Sequence, residues 1–293
     1  AAPLLDRSGN AYLQMVTSHM LRHIGGYRGS AGEEERLART VLELAEETSN
    51  VQGKCWGAYD AASALARQGK IASSMKKMQD SFSALTDERF QMTEPIRAST
   101  YGFVLLQASQ FSAAREAAGN AWQIVFKCPI DVSMLCLPVL IESIAGPMWI
   151  SNHTKLDAPL LRKLLRWAIV AHYSYPSHQP HLRRVVGRAL WSLGKHRKAI
   201  RVFKNAIQLA ANKQMDYQRG RSLLDLAAVH EEGRSQNRAQ AIGLLKTMES
   251  VIPRAEAWLL GDQYDEAVVA PEFDLEAWER ENGCVRMERP INH

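Results

Sequence analysis

The sequence lacks the short motifs that usually mark an enzyme. Its 293 residues contain no GxxxxGKS/T, GxGxxG or GxSxG segment, and no predicted strand precedes the glycines from Gly25 to Gly29. Phosphate cradles and activated serine nucleophiles depend on glycine-containing turns that follow a strand. We therefore predict that the chain is not an enzyme and binds no cofactor.

Cysteine is scarce, and its spacing excludes a disulfide framework or a zinc ribbon. The four cysteines are Cys55, Cys128, Cys136 and Cys284, with no CxxC pair among them. This pattern indicates reduced thiols and a cytoplasmic protein, with the nucleus as the alternative compartment. The chain begins Ala-Ala-Pro, without an initiator Met or an apolar leader. We interpret it as a piece of a longer polypeptide.

Two groups of histidines lack the companions of a metal site. The groups are His19 with His23, and His172 with His178 and His181. Met20 stands where a zinc-protease helix carries Glu, and no Cys or carboxylate lies within the second group. We predict packed or surface histidines and no metal.

No apolar run is long enough to cross a membrane. The most apolar stretch, residues 133–150, is interrupted by Pro138, Glu142 and Pro147. A membrane-spanning helix needs about 20 mainly apolar residues. The stretch therefore predicts a buried helix, and we expect no membrane contact.

A repeated pattern is the strongest positive signal. Three copies place small, large apolar and turn residues at the same offsets, +3, +7, +9, +12, +16 and +20 from the first residue. The copies are Ala62, Leu65, Gly69, Ile71, Ser74, Met78, Phe82; Gly102, Leu105, Ser109, Phe111, Ala114, Ala118, Trp122; and Gly187, Leu190, Gly194, His196, Ala199, Phe203, Ile207. Helical pairs that cannot bury an apolar face alone must stack on their neighbours.

The pattern resembles the tetratricopeptide repeat, in divergent and lengthened form, as found in multidomain signalling and regulatory proteins and in scaffold subunits. The resemblance implies an all-α fold, a right-handed α-solenoid of about six helix–turn–helix pairs. It assigns residues 1–252 to the repeats and residues 253–293 to a degenerate last repeat and an acidic cap. It also implies close helix packing at small residues, which are Ala62, Gly102, Ala114, Gly187 and Ala199.

Charge is distributed unevenly along the chain. Residues 151–225 carry 15 Lys or Arg against 3 Asp or Glu, a net charge of +12, whereas residues 226–293 carry 7 against 13, a net charge of −6. In the repeat family the first helix of each pair lines the concave groove. The residues this places in the groove are His181, Arg184, Arg188, Trp191, Arg219 and Arg221. We predict them to be a partner site, unless the acidic end of the chain neutralises them or the patch is solvated surface.

Three functions are compatible with these features. The first is a scaffold or sensor domain of a larger protein that binds a protein or peptide, acidic ones included, in the concave groove. The second is a small-ligand-sensing domain that controls an attached ATPase or effector. The third is nucleic-acid or other polyanion binding through residues 151–225, for which a steep loss of affinity with salt is the expected sign.

Overall fold

The computed structural model describes residues 10–84, 93–125, 136–150, 156–174 and 178–285. Within them we number thirteen α-helices in chain order. They are α1 (Ala11–Arg28), α2 (Ala31–Glu47), α3 (Val51–Arg67), α4 (Ile71–Ala84), α5 (Glu94–Gln107), α6 (Phe111–Val125), α7 (Cys136–Ile150), α8 (Ala158–Ser174), α9 (Gln179–Ser192), α10 (His196–Asn212), α11 (Asp216–Val229), α12 (Arg234–Thr247) and α13 (Leu275–Asn282). Cys128 and residues 133–135 of the apolar run lie outside the described ranges.

The helices stack in series, so the predicted all-α solenoid is confirmed. Each odd-numbered helix from α1 to α9 packs on the next odd-numbered helix, and each from α1 to α11 packs on its own even-numbered partner. The odd-numbered helices therefore form an inner layer, and the even-numbered helices flank it. Among the described residues, sheet pairing is limited to one isolated bridge, between Ile252 and Val269. No helix there is long and apolar enough to span a bilayer.

The turn residue of the repeat has a backbone role. Gly69, Ser109 and Gly194 share one repeat position, and their φ angles are +78°, +63° and +73°. This left-handed conformation ends a helix and lets the following amides bond back to its last carbonyls, as Lys70 N does to Leu65 O at 2.9 Å. The same bond recurs from Lys195 N to Leu190 O, at 2.8 Å. The repeated offsets therefore mark the same tight turn.

The small residues of the pattern lie where helices approach closely. A Cβ added at Gly187 would lie 2.5 Å from Cε1 of Phe203, and one at Gly102 would lie 2.9 Å from Cγ1 of Val139. Ala62, Ala114 and Ala199 are fully buried. Phe203 thus occupies the space that glycine leaves on α9, sixteen residues earlier in the same copy.

The two ends of the array meet. The amide of Ala31 donates to the carbonyl of Met248 at 3.0 Å, and the amide of Gly32 donates to Oε2 of Glu249 at 2.9 Å. Helix α11 also packs on α1. The superhelix therefore curves until its last pair contacts its first, which narrows the space along the inner layer.

The chain after α12 crosses this inner space. Two 3-10 segments, Arg254–Gln263 and Glu266–Val268, replace the helical continuation that the sequence indicates, and Gly261 kinks the first at φ +58°. The amide of Val251 donates to the carbonyl of Arg67 at 2.7 Å, and the amide of Ala255 donates to Oγ of Ser109 at 3.2 Å. We name residues 250–270 the return segment.

Helix α13 continues beyond the return segment along earlier repeats. Trp278 is buried in the same apolar cluster as Tyr101 and Leu105 of α5. Nε2 of Gln79, on α4, donates to the carbonyls of Asn282 and Gly283 at 2.9 Å each. Residues 275–283 therefore lie against the second and third helical pairs, although they follow the sixth pair in sequence.

Candidate functional site

Charged side chains from three inner helices converge on the return segment. Residues four apart share one face of a helix, so Arg184 and Arg188 face the same way, as do Arg221 and Asp225. We name this group the inner cluster; its members are Glu142 (α7), Arg184 and Arg188 (α9), Arg221 and Asp225 (α11), and Glu256 (return segment). All six side chains are at most 6% exposed.

Arg188 is the centre of the inner cluster. Its Nε and Nη2 donate to the Asp225 carboxylate at 2.8 and 2.6 Å, and its Nη1 and Nη2 donate to Glu256 at 2.6 and 2.8 Å. Both contacts are bidentate, the geometry in which a guanidinium binds carboxylates most strongly. Its guanidinium carbon also lies 5.3 Å from the centre of the Trp149 ring. Arg188 is fully buried, and its positive charge is neutralised by carboxylates of the same chain.

Two further arginines close the network. Nη2 of Arg184 donates to both oxygens of Glu142 at 2.7 Å, and Nη2 of Arg221 donates to Glu256 at 2.8 Å. His181 lies beside Glu142, with Nε2 3.4 Å from Oε2. Burial lowers the pKa of His181 even though the Glu142 carboxylate opposes that shift. His181 is therefore an uncharged neighbour of the network near neutral pH.

The guanidinium groups keep the buried carboxylates ionised. Burial alone would raise the pKa of Glu142, but the nearby Arg184 guanidinium and its neighbours outweigh burial and hold that pKa well below its usual range. In the same way Arg188 and Arg221 overcome burial and lower the pKa of Glu256 to about 2. The inner cluster therefore contains three cations and three anions, with Glu256 supplying the third negative charge.

A crevice opens beside the inner cluster. The crevice is narrow; its space between atoms, open solvent included, is about 310 Å³, and it is walled by inner helices on one side and by Pro253 and Glu256 on the other. Four of its polar atoms have no hydrogen-bond partner among the described residues. They are Oε1 of Gln107, Nε of Arg184, Oε1 of Gln218 and Nε of Arg221. Buried polar atoms are nearly always paired, so the crevice presents unused donors and acceptors.

The structure places the predicted partner residues differently from an open basic stripe. Arg184, Arg188 and Arg221 lie in the inner cluster and His181 beside it. Glu256, from the acidic end, pairs with Arg188 and Arg221, whereas Arg184 and His181 face Glu142. Trp191 lies apart: its ring stacks on His196 at 4.1 Å and meets Trp149 edge-on at 6.4 Å. Arg219 stays half-exposed, 4.0 Å from Asp216. An arginine stripe open to solvent on α9 is therefore not what the unbound chain presents.

Three residues of the inner cluster escaped the sequence analysis. Glu142 is the one charged residue of the apolar run, and a buried helix carries such a charge only when a partner pairs with it. Asp225 lies four residues after Arg221, on the same helical face. The positions of Glu142 and Asp225 could therefore have been predicted from the sequence. No sequence feature near Glu256 connects it to α9.

The remaining histidine candidates have other surroundings. Nδ1 of His19 lies 2.7 Å from Oδ2 of the buried Asp60, and its ring stacks on Trp56 at 4.6 Å. The side chains of His23 and His172 lie outside the described part of the structure. Among the described residues, no three His, Cys, Asp or Glu side chains are grouped as metal ligands would be.

Comparisons with known proteins identify the fold. No family model and no curated protein sequence matches the chain. The fold is similar to that of a solved structure of a Rap protein complexed with competence and sporulation factor, with a TM-score of 0.56 at 13% sequence identity. The match covers 82% of this chain and 66% of that chain, so this chain spans less than two thirds of its length. The predicted tetratricopeptide-like helical-repeat fold is thereby confirmed.

Proposed function

We propose that the chain is a partner-binding domain whose inner layer receives a segment of a protein or peptide. One observation carries the proposal: the inner layer already binds a polypeptide segment that is not part of the repeats. The return segment is held there by paired guanidinium–carboxylate contacts and by main-chain bonds, as at Arg188–Glu256 and Val251–Arg67. A surface that holds its own chain in this way has the chemistry to hold another.

The fold comparison supports the same function. The similar Rap protein is complexed with competence and sporulation factor, so a repeat array of this shape accommodates a bound factor. Repeat solenoids generally bind partners on their extended concave surfaces. As one arm of a larger protein, such a domain would act as a scaffold or a sensor.

A peptide selection tests the proposal. Random peptides displayed on phage are selected on the full chain, and the affinity of each selected peptide is measured by fluorescence polarisation. Gln218 lines the crevice, so Gln218→Trp should fill it and weaken binding at least about tenfold, which is about 1.4 kcal/mol. The matched control is Lys204→Trp, on the exposed face of α10, which should leave affinity unchanged. Equal affinities for both variants, or a selection that yields no binder, would contradict the proposal.

The crevice favours a small polar ligand as the second candidate. Its four unpaired polar atoms could satisfy a compact molecule without a partner protein. The two candidates differ in size: a peptide must displace Pro253 and Glu256 from the wall, whereas a small ligand need not. Thermal-shift screening of small polar metabolites against the full chain and Gln218→Trp separates them, since a crevice ligand should stabilise the first and not the second.

A further inference from the structure

We infer that the return segment is an intramolecular stand-in for the partner, and that the partner segment carries one carboxylate followed three and four positions later by apolar side chains. This inference rests on the proposed function and adds to it the chemistry of the partner and the regulation of the site. In the unbound chain the segment blocks the inner layer. A partner therefore binds by displacing it.

The return segment occupies the inner layer as a ligand would. It is not a repeat helix, and it crosses several pairs in sequence. Its contacts extend beyond α12, which it meets through Arg238, to α11 and α9 through Glu256, to the α5–α6 turn through Ser109, and to α3 through Arg67. A segment that merely capped the last repeat would contact α11 and α12 alone. Its path along the inner layer predicts the path of the partner.

Charge defines what must replace Glu256. With Glu256 in place, three arginines face three carboxylates. Without it, Arg184, Arg188 and Arg221 would face Glu142 and Asp225 alone, which leaves one uncompensated positive charge in a buried site. An unpaired buried charge is strongly disfavoured. Release of the segment is therefore coupled to the arrival of another anion, and a carboxylate fits the bidentate geometry at Arg188.

Apolar side chains define the rest of the occupant. Leu259 and Leu260, three and four residues after Glu256, are fully buried, as is Ile252 at the start of the segment. All three belong to the apolar cluster that contains Phe203 and Leu224. Trp258, which directly precedes Leu259, is 44% exposed and contributes less to this anchoring. The segment therefore presents a carboxylate with two leucines at fixed spacing, and a partner must match it.

The return segment leaves part of the site unsatisfied, which is why a better ligand can replace it. Nε2 of Gln107 has only a 3.3 Å contact to the Tyr217 hydroxyl, and Oε1 has no partner in the described chain. Nε of Arg221 is also unpaired there, although Arg221 is 2% exposed. A peptide whose main chain reached these atoms would make bonds that the return segment does not make.

A reversible cross-link tests displacement. Oγ of Ser109 lies 3.2 Å from N of Ala255, so Ser109→Cys with Ala255→Cys places two thiols across the contact. Cys128→Ser and Cys284→Ser remove two native thiols. Burial raises the pKa of Cys55 to about 11 and of Cys136 to about 12, which keeps those thiols protonated and unreactive. Peptides selected on the parent chain are then titrated against the oxidised and reduced forms.

The inference predicts at least tenfold weaker binding to the oxidised form, with parental affinity restored by dithiothreitol. Equal affinity of the two forms, with selected peptides still excluded by Gln218→Trp, would leave the proposed function standing and overturn displacement. If the parent chain binds none of the selected peptides in solution, the proposed function is contradicted instead. The two failures are therefore distinguishable.

A second measurement tests the chemistry of the partner without a cross-link. A labelled peptide copying residues 252–264, IPRAEAWLLGDQY, is titrated against the full chain and against Glu256→Gln. The variant should bind the peptide at least tenfold more tightly than the parent, since its own segment competes less well. A peptide with Gln in place of its Glu should not bind. Equal binding of the two peptides, or competition by a single-stranded oligonucleotide at equal concentration, would overturn the carboxylate requirement.

Discussion

Arg188 and Glu256 form a two-pronged ion pair across 68 residues of sequence, at 2.6 Å between Nη1 and Oε1 and 2.8 Å between Nη2 and Oε2. The pair joins the fifth helical pair to a segment that lies beyond the last one. Because Glu256 belongs to the return segment, the charges of the inner cluster balance only while that segment is closed. Disturbing either residue should disturb both the stability of the fold and the accessibility of its inner layer.

Removing the Glu256 carboxylate should destabilise the chain markedly. Glu256→Ala leaves Arg188 and Arg221 short of a counter-charge in a site where all three side chains are at most 2% exposed. Loss of one partner of a buried pair typically costs about 3–5 kcal/mol. We expect a decrease of that size in the free energy of unfolding, measured by urea titration. Glu272→Ala, at an exposed position of the same acidic end, should change it by less than about 0.5 kcal/mol.

Stability should fall with acid over a defined range. Glu256 has a pKa of about 2 in the folded chain, against 4.5 for an ordinary Glu. Between these values the unfolded chain binds more protons than the folded chain, so the free energy of unfolding decreases as pH falls from about 5 toward 2. A shift of this size corresponds to on the order of 3 kcal/mol of stability above pH 5, lost across that window.

The control for that pH dependence is Glu256→Gln, which has no carboxyl group to protonate. Its free energy of unfolding should decline less steeply than that of the parent between pH 5 and pH 2. Glu272→Gln should follow the parent curve. Parallel curves for the parent and Glu256→Gln would mean that folding does not lower the pKa of Glu256.

Packing at the repeat glycines gives a prediction independent of the site. A side chain at Gly187 meets the Phe203 ring, whose nearest atom is 2.5 Å from the added Cβ. Gly187→Leu should therefore lower stability by about 1–3 kcal/mol, the usual cost of overpacking, in a urea titration. Gly243→Ala, in helix α12 with no atom within 4 Å of the added Cβ, should be neutral or stabilising by up to about 1 kcal/mol. If Gly187→Leu unfolds like the parent, the α9–α10 contact is not as described.

The repeat architecture was predictable because its determinants are local. Gly187 and Phe203 are sixteen residues apart, and the turn between them requires a left-handed residue at Gly194, so one short pattern specifies both the turn and the contact. The inner cluster was predictable only in part. The arginines were identified by their shared helical face, but their state depends on Glu256, and no local pattern specifies where residues 250–270 lead after the last helix.

The return segment also differs from its prediction for a physical reason. Residues 255–270 carry small and aromatic residues at nearly helical spacing, which indicates a truncated repeat. Pro253 precedes that stretch, and Gly261 interrupts its interior, where it is held in the left-handed region with the Arg238 guanidinium 2.3 Å from an added Cβ. The stretch satisfies its backbone largely within itself, as from Ile252 N to Val268 O, and reaches the repeats at Arg67 and Ser109.

Hydrogen exchange gives the most direct measure of displacement. The amides of Val251 and Ala255 donate to the carbonyl of Arg67 and to Oγ of Ser109. Both bonds join the return segment to the repeats and exist only while the segment is closed, so the two amides should be protected in the unbound chain. Mass spectrometry of the chain saturated with a selected peptide should show their exchange accelerated at least about tenfold, because bound peptide holds the segment open.

Helix α2 supplies the internal control for this experiment. Val41 and Ala45 are fully buried there, in an apolar cluster with Met15 that contains no residue of the return segment, so peptides of the digest that cover them should keep the same exchange rate. Acceleration in both regions would indicate general unfolding by the ligand. Unchanged or slower exchange at 251–270 would mean that the peptide binds with the segment closed. That outcome would move the partner site from the inner layer to the outer helices or to the crevice alone.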